Sequence, residues 1–131
     1  MVDINPGTAI SAPPGSTVIT SSSGNQANAN AVATLAGVAN KTTYLQGVVV
    51  TAGGATAAAL VVGTISGLLG GTASFIYGAA LGVALLSQPF QMLFGVLGIP
   101  ASAQNTAIVV TVPALGLGNT NAAVFAWGYQ V

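Results

Sequence analysis

The chain has 131 residues, of which 53% are hydrophobic and only 2% charged, and its formal net charge is zero. It has no His or Cys, and Asp3 and Lys41 are its only charged side chains, so no catalytic triad, carboxylate pair or transition-metal cage can be assembled and neither an enzyme nor a cofactor is expected. Nucleic acid is excluded on the same ground, because affinity for phosphate comes from clustered Lys and Arg and one Lys neutralises about one phosphate.

Residues 1–30 are small, polar and interrupted by Pro6, Pro13 and Pro14. They open on an acidic rather than a basic stretch, unlike a secretory signal. They read as an extended N-terminal arm without a core of its own. Its sparse apolar residues, Ile4, Ile10, Val18 and Ile19, are placed to dock into a groove on a neighbouring subunit while the backbone adds to an open sheet edge.

From residue 31 to 131 the pattern is that of one domain built from short strands separated by Gly, Pro and Asn. Ala31 to Ala36 is a weak first candidate. Thr42 to Thr51 is β-branched and aromatic and is expected to end at a Gly53-Gly54 turn. Ala58 to Ser66 and Thr72 to Ala79 follow as two strands joined through Gly70-Gly71. Leu81 to Ser87 has no clear period. Phe90, Met92 and Phe94 then alternate with Gln91 and Leu93, which fits a strand. Ala107 to Val112 stops at Pro113, and Ala122 to Val131 places Phe125, Trp127, Tyr129 and Val131 on one face, expected to be the core face. The reading is an all-β, jelly-roll-like β-sandwich with seven or eight strands. Strands apolar on both faces point to burial on both faces, and in so short a chain the second cover must come from other copies.

Several smaller signals carry little. Asn40-Lys41-Thr42 matches a glycosylation sequon, a triplet common by chance, and the glycine-rich Gly116 to Asn119 lacks the helix and acidic residue of a dinucleotide site. Trp127 and Tyr129 on alternate positions have the form of a carbohydrate platform, although core packing is the plainer account. Lys41 has only Asp3 as an acidic partner, and an exposed pair of that kind contributes about 0 to 1 kcal/mol.

A small integral membrane protein is an alternative, since Gly47 to Leu86 runs without a charge and Gly63, Gly67 and Gly71 recur at helix-packing spacing. Against it, no Lys or Arg flanks the run, and Phe75 and Tyr77 lie inside it rather than at its ends.

VANKTTYLQGVVVTAGGATAA (Val38 to Ala58), TISGLLGGTASFIYG (Thr64 to Gly78) and the closing stretch from Ile99 to Val131 resemble a group of small bacteriophage and prophage virion structural proteins. The resemblance covers roughly Ala31 onward and rests on Lys41, Thr42, Gly53, Gly54, Gly128 and Tyr129, all fold-defining positions. It implies a virion component with a jelly-roll-like sandwich and a homotrimeric state, and leaves head, portal and tail positions open. The resulting expectation is a capsid decoration or cement subunit on the virion surface, assembled in the host cytoplasm, that bridges and stabilises major capsid proteins. A tail or receptor-binding structural module is the other alternative.

Overall fold

Buried and outward residues alternate along most strands, so each strand lends one face to a shared interior. The computed structural model describes residues 12–55, 59–79 and 81–131, and among these there is no helix. The strands are β1 (Thr17–Ser22), β2 (Ala31–Leu35), β3 (Thr43–Ala55), β4 (Ala59–Ser66), β5 (Ala73–Ala79), β6 (Gly82–Leu86), β7 (Phe90–Leu93), β8 (Ile99–Pro100), β9 (Ile108–Val112) and β10 (Asn121–Gln130). One sheet runs β1-β10-β3, with β6, β7 and β8 laid in succession along the far side of β3, and the other runs β2-β9-β4-β5. All of these strand pairs are antiparallel.

The pairing has a simple order. β1 pairs with β10, β2 with β9, β3 with β6 to β8, and β4 with β5. The chain is therefore one long antiparallel ribbon, doubled back at the β4–β5 turn and wrapped so that its strands fall into two facing sheets. Leu35, Leu45, Val48, Ile65, Ile108 and Val124 are fully buried between them. Removing such a side chain from water contributes roughly 1.5–3 kcal/mol.

Local chemistry explains the turns and the departures from the sequence reading. At the β4–β5 turn Gly71 N–H donates to the Leu68 carbonyl at 3.1 Å, and Gly70 has a φ of 97°, the left-handed value that the third residue of a type II turn requires. Gly53-Gly54, expected to end a strand, instead lies inside β3. Gly54 has a φ of 72°, and the register against β6 shifts between Gly53 and Ala55, so this glycine pair forms a bulge rather than a turn. A second irregularity sits where Gly47 faces Trp127 and Leu45 faces Gly128, leaving Gln46 as the extra residue of β3. It lets Leu45 and Val48, an odd number of positions apart, both face the core.

Three strand glycines make room for a large cross-strand neighbour. A Cβ on Gly47 would enter the Trp127 ring, one on Gly63 the Phe75 ring, and one on Gly78 the end of the Leu60 side chain, and each pair is directly opposite in register. Gly63, Gly67 and Gly71, whose spacing resembles a helix-packing motif, therefore belong to β4 and the turn after it. Among the described residues no helix is long and apolar enough to cross a membrane.

The arm expectation also needs correction from residue 17 on. Thr17–Ser22 pairs along its whole length with β10, and Ser23 and Gln26 N–H donate to the Val124 and Ala122 carbonyls at 2.9 and 2.8 Å. This stretch is an edge strand of the chain's own sandwich. Its four successive β-branched residues, Thr17 to Thr20, are the physical reason.

Gly128 sits at the β3–β10 irregularity, where a Cβ would run into the Tyr44 carbonyl oxygen. Gly128→Ala is expected to lower stability by about 3 kcal/mol, because backbone cannot yield as a side chain can. The change in urea midpoint at constant slope measures it.

Candidate interaction surface

The residues with chemistry are few and scattered. Lys41 Nζ reaches the Thr17 hydroxyl at 3.4 Å, while Asp3, Ile4 and Ile10 lie outside the described residues. Of the other expected docking residues, Val18 points outward from β1 and is 45% exposed, whereas Ile19 packs against the chain's own core. Ile19 is therefore committed within the subunit. A shallow cleft of about 260 Å³ is lined by Gly53, Gly54, Leu85, Leu86, Asn25 and Asn121 among others, with no ionisable side chain. Its walls are largely backbone and aliphatic.

The closing strand corrects the expectation for its aromatic residues. Ala122, Val124 and Ala126 of β10 fill the core, so Phe125 and Trp127 occupy the outward face of the sheet. Period two shows that these residues share a face but not which face, and here the inter-sheet space takes the small set. Phe125 and Trp127 lie with ring centroids 5.8 Å apart at 29°, and Tyr44 stacks on Tyr129 at 4.8 Å and 5°. Tyr129 is buried even though it is outside the main core cluster, and its hydroxyl donates to the Leu97 carbonyl at 2.7 Å. Gln46 Nε2 donates to the neighbouring Val96 carbonyl at 2.6 Å. Two side chains from the sheet thus hold the loop after β7 in place.

Around this loop and on the second sheet, large aliphatic side chains meet solvent. Leu93 and Leu97 are 65% and 72% exposed, and on β4 and β5 Leu60, Val62 and Ile76 are 80%, 55% and 68% exposed. Val62 and Ile76 are directly opposite in register, and Leu60 lies across from Gly78, so these three make one contiguous outward patch. Among the described residues Lys41 is the only charged side chain. A surface of this kind releases ordered water when apolar groups cover it. Trp127 and Tyr129 were singled out in the sequence for their spacing. The aliphatic patch was not, since a strand apolar on both faces does not reveal which face is left bare.

Comparison with known protein families finds no model that matches this chain, and comparison with curated proteins finds no relative.

Burial pushes the Tyr77 and Tyr129 hydroxyls above the ordinary tyrosine value of 10.0, and the neighbouring Tyr44 adds to the rise at Tyr129. A folded state that keeps a proton the unfolded chain releases loses stability as pH rises. The contribution of these two groups is thus fully present below about pH 10 and is lost as the pH climbs through their folded-state values. Urea unfolding is expected to show stability falling above about pH 10, with a shallower fall for Tyr77→Phe. An equal fall in that variant would contradict the assignment.

Proposed function

We propose that this chain is a non-enzymatic structural subunit of a bacteriophage particle, a capsid decoration protein that bridges neighbouring major capsid proteins and resists their separation. The observation that carries the reading is the combination of a nearly charge-free chain with large aliphatic side chains left in water, Leu60 at 80% and Leu97 at 72% exposed among them. An isolated soluble protein gains nothing from such a surface, whereas a subunit that adheres to a shell does. Burial contributes about 25 cal/mol per Å² of apolar area, less the cost of association.

Two further observations support a virion role. The two antiparallel sheets form a sandwich, and we read their doubled-ribbon pairing as jelly-roll-like, an architecture used by viral capsid domains. We also read the stretches from Val38, Thr64 and Ile99 as similar to small phage structural proteins. On this reading Ile4 and Ile10 remain contacts with neighbouring subunits, and Val18 is a third, on β1, whose other edge is paired by no strand among the described residues.

A receptor- or glycan-binding tail module is the second reading, favoured by the Phe125–Trp127 ring pair on the outward face. Aromatic rings presented in this way stack on sugar rings, and jelly rolls also serve as lectins.

The test is co-sedimentation of the purified protein with capsids that lack it. Binding is expected to persist from about 0.1 M to about 1 M NaCl, where the screening length shrinks from about 10 Å to about 3 Å. A chain lacking residues 2–11, which leaves β1 intact, is expected to bind more weakly. Failure to sediment with capsids, together with host-cell binding that Trp127→Ala abolishes, would replace the decoration reading with the second one.

A further inference from the structure

β5 closes one end of the second sheet. β4 pairs with one of its edges, from Ala73 to Ala79, and among the described residues no strand pairs with the other. Open edges offer unpaired N–H and C=O groups, and natural sheets guard them with charge, Pro or a bulge. β5 has none of these, for it reads Ala73-Ser74-Phe75-Ile76-Tyr77-Gly78-Ala79. A cleft of about 460 Å³ runs beside it, lined by Ile76, Tyr77 and Gly78 on one side and Gln88 to Gln91 on the other. Among the described residues no strand occupies this cleft or pairs with this edge.

The seven residues of β5 have the same order of sizes read from either end: two small residues, an aromatic, Ile, an aromatic, two small residues. We propose that the occupant of this edge is a second copy of the same strand, paired antiparallel across a two-fold axis at Ile76. In that register Ile76 faces Ile76 of the second copy, Phe75 faces Tyr77, Ser74 faces Gly78 and Ala73 faces Ala79. Sliding the register by two residues shortens the ladder and sets Ile76 against Ser74 or Gly78. Sliding it by one would set inward side chains against outward ones.

The alternation within the subunit fits this pairing. Phe75 and Tyr77 are buried on the core side, while Ile76 is 68% exposed on the outward side beside Val62. Two copies joined here continue the core of one sandwich into the next and merge the two Val62–Ile76 rows. A formal net charge of zero means that no long-range repulsion opposes the approach. An isologous edge contact closes as a dimer, not as the trimer that the family resemblance implies. The proposal holds wherever the subunit is deployed.

The chain has no Cys, so Ile76→Cys introduces a unique thiol on the proposed axis. Directly opposed residues of an antiparallel pair have Cβ atoms about 4.5–5.5 Å apart, close enough for a disulfide after small adjustment. Under mild oxidation I76C is expected to form a covalent dimer at least ~10-fold faster than Leu117→Cys, whose position is 82% exposed in the loop between β9 and β10. Light scattering is expected to give a dimer mass for the unaltered chain. Ile76→Lys, which sets two like charges on the axis, is expected to weaken the dimer about 100-fold or more with an unchanged β spectrum. A monomer or trimer mass for the unaltered chain, or I76C cross-linking no faster than L117C, would overturn the proposal.

Discussion

The antiparallel pairing of β3 with β10 holds the centre of the first sheet, and nearly every other feature takes its position from it. β10 carries β1 on its far side, and β3 carries β6, β7 and β8 in succession. The irregularity at Gln46 lets both ends of β3 present their larger side chains to the core, and Gly47 and Gly128 at the same place allow the Trp127 ring and the Tyr44 backbone to approach closely. A chain with 18 glycines has little side-chain volume to spend on a core. It fills its sheets by setting glycine opposite an aromatic or leucine, so that the large partner covers the strand that lacks a side chain. The same device accounts for Gly63 beneath Phe75 and Gly78 beside Leu60.

Much of the fold was legible because strands announce themselves through β-branched runs. Ala31–Leu35, Ala59–Ser66, Ala73–Ala79, Ile108–Val112 and Asn121–Gln130 lie within a residue or so of where the alternation put them. The Gly53-Gly54 pair was misread because a left-handed glycine serves a bulge as well as a turn, and only the continuation of pairing to Ala55 distinguishes them. β1 was hidden by its surroundings. Polar, proline-bearing composition argued for an arm, yet the local run Thr17 to Thr20 had the propensity to add an edge to the chain's own sheet.

The surface was less legible than the strands. Alternation placed Phe125, Trp127 and Tyr129 together, but the face turned to the core is the one that carries Ala122, Val124 and Ala126. The exposed set Leu60, Val62 and Ile76 belongs to strands whose two faces are both apolar, and nothing local marks one face as the bare one. By contrast the near-palindrome around Ile76 is plain in the sequence. It acquires meaning only once β5 is seen to stand at a sheet edge.

On the proposed function the chemistry of this chain is adhesion, in which the sandwich supplies a rigid body and the bare aliphatic faces supply attraction without charge. The most direct test is calorimetry of binding to capsids at several temperatures. Burial of apolar surface gives a negative heat-capacity change, so the binding enthalpy is expected to become steadily more favourable on warming, with an affinity that does not fall as salt is added. A heat-capacity change near zero, with affinity that collapses in salt, would contradict the account.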